Sequence, residues 1–400
     1  MIMIKSIRFK NFFSFRDCKV ELNNLNALIG INGSGKSNFI KAIKLLKATV
    51  TEGALPELIL NQWGGFDAVY FAGNDAESEK KIELEFEFDD IVSGNTITNN
   101  GEVTISYCII LNKVGSTQNY SISECCKTNA EDTKYLDENN VFFGLLPSGE
   151  LAFLDKTSGS DYSVNAGSVL SQPFNNEIHS VVFKIREKIK NISVYSAFDT
   201  STNSNIRKPM MASGISTTLL PNGGNLPQII NRMKINNKSF YYKLVSSLQT
   251  INPQYNGIDF NLIGNNIELM LDEKGFERSI HVTHISDGTL RFLCLLAIVH
   301  NPERGGLVCI DEPEIGLHPD MIREFIDSMS QVSDKTQFII STHSDHILNN
   351  LSVENVLVCE KDDDNATTIN TFRDKDFVEW AAQYSTGKLW RDGDLGGNRY

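Results

Sequence analysis

The stretch LIGINGSGKSNFIKAI, residues 28–43, places three glycines directly before a lysine and a serine. An apolar run of strand character leads into it, and apolar residues at helical spacing follow the serine. Gly30 to Ser37 match the pattern G-x-x-x-x-G-K-[ST], in which backbone N–H groups curl around phosphate oxygens at the start of a helix. The flanking strand and helix favour this interpretation over a simple glycine-rich turn, so the stretch predicts a nucleotide-binding loop.

The residue types within this loop indicate ATP and Mg²⁺ as its ligands. Lys36 is expected to reach the β- and γ-phosphates, and the hydroxyl of Ser37 is expected to ligate Mg²⁺. The predicted nucleotide-binding residues are Asn32, Gly33, Ser34, Gly35, Lys36, Ser37 and Asn38.

Two later stretches have the same form, a buried strand followed by polar residues. GGLVCIDEPEIGLHP, residues 305–319, ends its strand at Asp311 and Glu312, and TQFIISTHSDHI, residues 336–347, continues into His343. Ligands of parallel sheets bind at the carboxyl ends of the strands. We therefore expect Asp311 to hold Mg²⁺ together with Ser37, and Glu312 to act as the general base for an attacking water. A neutral His343 would donate to the γ-phosphate or orient that water.

A second potential anion-binding helix start lies in HISDGTLRFLCLLAIV, residues 284–299. Ser286 is suited to cap the apolar helix, Asp287 follows it, and Gly288 allows a ligand to approach the first N–H groups. The alternative is that these residues only cap a core helix.

The composition limits the classes of partner and compartment. The formal net charge of −13 excludes a uniformly basic nucleic-acid face, although local basic patches remain possible. Seven cysteines without a C-x-x-C spacing argue against a disulfide or zinc framework and fit a reducing cytoplasm. The longest apolar run, FLCLLAIV, is too short for a membrane span, and the amino-terminal residues lack a signal-peptide pattern. We therefore expect a cytoplasmic protein without a membrane contact.

The rest of the chain predicts four segments. KKIELEFEFDD, residues 80–90, alternates strictly and indicates a half-buried strand, with further strands predicted at 101–113, 118–125 and 149–155. The predicted segments are an amino-terminal lobe with the phosphate loop (1–90), an antiparallel β insertion (91–170), a helical subdomain (171–280) and a carboxy-terminal lobe (281–400). Within the last lobe, residues 354–372 predict a β-hairpin rather than a nuclease metal site.

Taken together, these motifs resemble those of ABC-type ATPase heads in the SMC/RecF/OLD superfamily. GINGSGKSNFIKAI resembles the Walker A motif, ISDGTLR the signature motif, IDEPEIGLHP the Walker B motif with its D-loop, and STHS the switch histidine. The resemblance implies an α/β P-loop ABC-ATPase head, in which a mixed, largely parallel sheet is flanked by helices and joined by antiparallel β and helical subdomains. It also implies a head-to-head homodimer or higher oligomer, in which ATP lies between the Walker A motif of one chain and Ser286, Asp287 and Gly288 of the other.

Sustained heptads are absent from the sequence, which predicts a head without a coiled-coil arm. In this the chain resembles compact ATPase subunits of bacterial anti-phage systems, whose heads act as sensors or scaffolds for a separately encoded effector. Because the chain ends at Tyr400, shortly after His343, we expect a nuclease effector to be another chain. The alternative is a RecF-like DNA-repair ATPase that clamps duplex DNA directly.

Overall fold

The computed structural model describes residues 4–73, 80–89, 104–128, 141–145, 151–153, 167–172, 180–214 and 216–397. The described strands are β1 (Ile4–Phe12), β2 (Phe15–Glu21), β3 (Leu25–Ile29), β4 (Lys81–Asp89), β5 (Thr104–Lys113), β6 (Tyr120–Thr128), β7 (Val141–Leu145), β8 (Leu151–Phe153), β9 (Ile192–Tyr195), β10 (Met210–Met211), β11 (Tyr255–Ile263), β12 (Asn266–Glu273), β13 (Ile280–His281), β14 (Leu307–Asp311), β15 (Gln337–Ser341), β16 (Val356–Lys361) and β17 (Thr367–Thr371). The described α-helices are α1 (Lys36–Ala48), α2 (Ala54–Pro56), α3 (Phe66–Val69), α4 (Ser180–Lys190), α5 (Leu226–Asn236), α6 (Lys238–Ile251), α7 (Asp287–His300), α8 (Pro319–Ser330), α9 (Asp345–Leu348), α10 (Lys375–Ala381) and α11 (Thr386–Asp392), and a π-helix spans Glu57–Gln62.

The central sheet has the strand order β17-β16-β3-β15-β14-β9. Its strands from β16 to β9 run parallel, and β17 alone pairs antiparallel with β16. Both faces are covered, as parallel sheets require. Along β15, for example, Ile339 packs into the core on the side of α1, whereas Phe338 and Ile340 pack into the core that contains α7 and α8. The parallel order brings the carboxyl ends of β3, β15 and β14 to one edge of the sheet.

A seven-stranded antiparallel sheet with the order β2-β1-β4-β5-β6-β7-β8 packs over α1. The strict alternation read in the sequence is visible in β4, where Ile82, Leu84, Phe86 and Phe88 are buried and the residues between them are half-buried. A third sheet, in the order β10-β12-β11 with β13 beside β12, packs against α5 and α6. Helices α5 to α8 pack on one another and form a helical layer.

The structure refines the predicted segments, whose boundaries remain predictions. The strands of the predicted β insertion continue the sheet begun by β1, β2 and β4, because the outer edge of β4 pairs with β5. They are therefore part of one sheet with the amino-terminal strands. The segment 171–280 is not purely helical, since it also contributes β9 to the central sheet and β10 to β12 to the third sheet. The predicted boundary at residue 90 lies outside the described residues, as do parts of the strands predicted at 101–113 and 149–155.

The longest α-helices in the described ranges are α6 and α7, with 14 residues each, so these ranges contain no coiled-coil arm. The part of the chain that the structure describes also contains no helix long and apolar enough to cross a membrane. The predicted hairpin near the carboxyl end is confirmed, since β16 and β17 pair across a turn at residues 362–366.

Candidate functional site

The phosphate loop, residues 30–35, connects β3 to α1 as the sequence predicted. Gly30 and Gly35 have φ angles of +143° and +114°, which side-chain-bearing residues rarely adopt. A Cβ atom on Gly30 would lie 2.3 Å from the carbonyl oxygen of Cys359, and one on Gly35 would lie 2.4 Å from Oγ1 of Thr367. Backbone conformation and close packing therefore both require glycine at these two positions.

Lys36 lies at the start of α1 and is largely buried. Its ammonium Nζ donates to the carbonyl oxygens of Gly30 at 2.8 Å and Ile31 at 3.0 Å, so it reaches back over the loop that precedes it. Burial lowers the pKa of Lys36, and the neighbouring carboxylates of Glu312 and Asp311 oppose that shift. The charges predicted to surround the phosphates and Mg²⁺ are thus close to one another.

The other predicted nucleotide-binding residues differ in exposure. Asn32, Gly33 and Ser37 are exposed, whereas Ser34 and Gly35 are buried. The exposed residues are accessible to a ligand from solvent, and the buried ones shape the loop.

Asn38 is half-buried, and its Nδ2 donates to the hydroxyl of Ser14 at 2.9 Å in the turn between β1 and β2. Its side chain thus connects α1 to that turn.

A hydroxyl network behind the loop was not predicted from the sequence. Thr367, at the start of β17, donates from Oγ1 to the carbonyl oxygen of Ser34 and hydrogen-bonds the hydroxyl of Ser14, each at 2.8 Å. Its backbone N–H also donates to the carbonyl oxygen of Ser14 at 2.7 Å. Ser14 and Thr367 are 353 residues apart, and neither lies in a recognisable motif, so the sequence carries no signal for their contact.

The carboxyl ends of β14 and β15 bring the predicted catalytic residues together. Asp311 ends β14, and its Oδ1 accepts a hydrogen bond from the hydroxyl of Ser341, which ends β15. Glu312 follows with φ +51°, a left-handed conformation that is uncommon for a residue other than glycine. Its carboxylate Oε1 lies 3.6 Å from Nε2 of His343. Because β15 also pairs with β3, this edge adjoins the phosphate loop.

The backbone at His343 is held by a glutamate that the sequence analysis did not single out. Oε1 of Glu314 accepts from the hydroxyl of Thr342 at 2.7 Å and from the backbone N–H of His343 at 2.8 Å. Burial lowers the pKa of the His343 imidazole, and the Lys36 ammonium lowers it further, which favours the neutral ring. A neutral ring keeps one N–H donor and one acceptor, as the predicted role requires.

Ser37 and Asp311 offer a hydroxyl and a carboxylate, the hard oxygen ligands that Mg²⁺ prefers. Ser37 lies in the first turn of α1, after the phosphate loop, and Asp311 ends β14 at the edge that adjoins this loop. The donor set therefore fits the predicted metal, which would neutralise phosphate charge when bound.

The predicted signature residues lie at the start of a different helix, α7. Ser286 is its N-cap, and its Oγ accepts from the N–H of Thr289 at 3.1 Å. Ser286 and Asp287 are exposed. A Cβ atom on Gly288 would lie 2.9 Å from the carbonyl oxygen of Gly316, so the D-loop packs closely against the first turn of α7.

The carboxy-terminal segment packs onto the phosphate-loop side of the central sheet. Leu395 is buried, and the N–H of Gly397 donates to Oε1 of Glu360 at 2.7 Å. A Cβ atom on Gly397 would lie 3.5 Å from Cα of Gly30. The described residues up to 397 are therefore docked onto the rest of the chain.

The strand–loop–helix unit, the acidic strand end and the histidine one strand away define a P-loop ATPase head of the SMC and OLD type. The chain belongs to the family described as "AAA domain, putative AbiEii toxin, Type IV TA system", which matches residues 25–349. The predicted family resemblance and fold class are thereby confirmed.

Two curated relatives are similar in sequence. The chain is 22% identical over 386 residues to the OLD nuclease of Thermus scotoductus, a match that covers 94% of this chain and 65% of the relative. It is 28% identical over 102 residues to the Retron Vc95 probable ATPase of Vibrio cholerae, covering 25% of this chain and 20% of the relative. The chain thus matches less than two thirds of the length of either relative.

Solved structures show the same fold. An SMC head bound to the C-winged helix domain of ScpA aligns with a TM-score of 0.57 at 14% identity, covering 92% of this chain and 98% of that chain. An SMC head with an extended coiled coil, bound to the carboxy-terminal domain of ScpA derived from Pyrococcus furiosus, aligns with a TM-score of 0.57 at 13% identity and covers 96% and 98%.

Proposed function

We propose that this chain binds Mg·ATP at the phosphate loop and hydrolyses it in a head-to-head dimer. The observation that carries the proposal is the clustering of Lys36, Asp311, Glu312 and His343 at one sheet edge. Lys36 would bind the β- and γ-phosphates, and Ser37 and Asp311 would hold Mg²⁺. The signature Ser286–Gly288 would complete the site in the partner subunit.

Each group at this edge has one task in the proposed reaction. Glu312, in a left-handed conformation directly after β14, takes the proton of the attacking water. His343, whose pKa is lowered by burial and by Lys36, donates to the γ-phosphate or orients the water. Glu314 fixes the backbone that carries His343.

A glutamine at position 312 tests this assignment directly. Glu312→Gln keeps the shape of the side chain but cannot accept the proton, so we expect hydrolysis to fall by about 100-fold or more. ATP should still bind, and light scattering should show a dimer that persists with ATP. Glu303→Gln is the matched control, because Glu303 pairs with Arg232 away from this edge. Wild-type turnover by Glu312→Gln would show that another residue is the base.

We further propose that the ATPase is the sensor or regulatory subunit of a bacterial anti-phage complex and controls a separately encoded effector such as a nuclease. The family description names a putative toxin and a Type IV TA system, and the relatives include a nuclease and a retron ATPase. Copurification from the native operon, followed by mass spectrometry, should recover the effector in an ATP-dependent amount. Salt-dependent duplex binding by the isolated chain with ATP would instead support the RecF-like DNA clamp.

A further inference from the structure

Arg207 is a buried arginine outside the Walker A, signature, Walker B and switch motifs. It ends a short 3₁₀ turn, Asn205–Arg207, in the connection between β9 and α5, and its side chain is only 7% exposed. Arginine is rarely buried to this extent unless its donors and its charge are paired.

The guanidinium of Arg207 donates to the segment that leads into the signature helix. Its Nη1 donates to the carbonyl oxygens of Val282 at 2.6 Å and Ile285 at 3.0 Å, four residues and one residue before the N-cap Ser286. Its Nη2 contacts Oδ1 of Asp287 at 2.6 Å. The planar guanidinium group thus holds both the backbone that precedes Ser286 and the side chain of Asp287 that follows it.

The same arginine connects this segment to the chain that leaves β9. Its Nε donates to the carbonyl oxygen of Thr200 at 2.8 Å, and nearby the carbonyl oxygen of Phe198 accepts from Nε of Arg291 in α7 at 3.2 Å. Strand β9 pairs with β14, whose end carries Asp311 and the following Glu312. The position of the signature helix is therefore fixed relative to the catalytic edge of its own subunit.

The charge of Arg207 also matters for an incoming phosphate. The Asp287 side chain is 59% exposed in the first turn of α7, where its negative charge would repel a phosphate of the partner's nucleotide. The ion pair with Arg207 offsets that charge, and the neighbouring Ser286 remains an exposed residue.

We propose that Arg207 is a positioning residue that sets the signature helix start for the ATP of the partner subunit, an inference that rests on the proposed head-to-head ATPase. Arg207 acts through Ser286 and Asp287 and does not itself touch the nucleotide. It therefore matters for hydrolysis in the other subunit's site and leaves nucleotide affinity at its own phosphate loop unchanged.

The test compares Arg207→Ala and Arg207→Lys with Arg186→Ala. Arg186 is a half-buried arginine that donates to the carbonyl oxygen of Gln172 at 2.8 Å, far in the sequence from both motifs. Arg207→Lys keeps the charge but not the planar guanidinium group, so it covers the case in which Arg207→Ala fails to fold. We expect both Arg207 variants to lose about tenfold to 100-fold in ATP hydrolysis, because small misplacements of a catalytic group have effects of that size. Arg186→Ala should hydrolyse ATP like the wild type.

Two further readouts separate positioning from a general loss of structure. The affinity for a non-hydrolysable ATP analogue should stay within about threefold of wild type in Arg207→Lys, a change of less than 1 kcal/mol in binding free energy. Mixing this chain with a Lys36→Ala chain should restore activity, since the first supplies an intact phosphate loop and the second an intact signature. Wild-type hydrolysis by Arg207→Lys, or no recovery on mixing, overturns the inference.

The same mixing experiment, done with Ser286→Arg in place of Arg207→Lys, distinguishes an error about the role of Arg207 from an error about the composite ATP site. If Ser286→Arg is rescued by Lys36→Ala and Arg207→Lys is not, only the role of Arg207 is wrong. If neither is rescued, the composite site itself is wrong, and the inference about Arg207 falls with it.

Discussion

The starts of α1 and α7 are both predicted to meet phosphate, yet they are built in opposite ways. The start of α1 has glycine at its N-cap, no side-chain capping bond and no acidic residue in its first turn, and it carries Lys36. The start of α7 is capped by Ser286 and has Asp287 in its first turn, where the Asp287 carboxylate pairs with Arg207. The first helix start therefore carries its own cation, whereas the second is exposed and is held by an arginine from another part of the fold.

The largest effect on ATP binding is expected from removing the Lys36 cation at the start of α1. In Lys36→Ala the β- and γ-phosphates lose their charged donor, so ATP affinity should fall by about 100-fold, equivalent to about 3 kcal/mol for charge-assisted contacts. Equilibrium titration with ATP measures this. Lys44→Ala, on the same helix but about two turns further along and exposed, is the control and should bind ATP normally. Unchanged affinity in Lys36→Ala would contradict the assignment of the phosphate loop.

The far end of α7 gives a prediction about acid stability. Burial lowers the pKa of His300 to about 4, and its Nε2 lies 3.1 Å from the hydroxyl of Ser247. The unfolded chain takes up this proton near pH 6.5 and the folded chain only near pH 4. The stabilisation is thus complete above pH 6.5 and is lost as the pH falls towards 4, by about 3 kcal/mol in total.

Chemical denaturation between pH 7 and 5 measures this effect. His300→Gln has no proton to gain, so its stability should fall less steeply over that range, whereas the exposed His346→Gln should keep the wild-type slope. An unchanged slope in His300→Gln would show that other groups cause the acid sensitivity.

The glycines of the two helix starts provide a matched pair of substitutions. Gly35→Ala meets both a φ of +114° and the Thr367 side chain, so we expect a loss of about 1–3 kcal/mol in unfolding free energy together with weaker ATP binding.

Gly288→Ala has no such backbone strain and gains up to about 1 kcal/mol of helix propensity, offset by its contact with the Gly316 carbonyl. Its stability should change least, and its ATP affinity should not change, although hydrolysis should fall because the D-loop must shift. Thermal denaturation and ATP titration of both variants test whether Gly35→Ala is the less stable protein and the weaker ATP binder. A lower stability of Gly288→Ala would contradict this prediction.

The sequence predicted the features that depend on local motifs, but it did not predict the contacts between residues that are distant along the chain. The phosphate loop, the ends of β14 and β15 and the cap of α7 were predictable because each consists of a strand or helix boundary with a specific residue pattern. The network of Ser14 and Thr367 and the guanidinium contacts of Arg207 were not, because their partners lie far away in the sequence and their residue types look like ordinary polar surface. The sharing of one antiparallel sheet between two predicted segments was missed for the same reason.

The most direct test of the composite ATP site is to mix two inactive chains. Ser286→Arg keeps its phosphate loop, and Lys36→Ala keeps its signature, so a heterodimer contains one complete site and one site with both lesions. We predict that Lys36→Ala alone binds ATP weakly, whereas Ser286→Arg alone binds ATP but does not hydrolyse it. The mixture should recover a fraction of the wild-type hydrolysis rate. Normal hydrolysis by Ser286→Arg alone, or a mixture as inactive as its components, would contradict the account and leave Ser286 as the cap of a core helix.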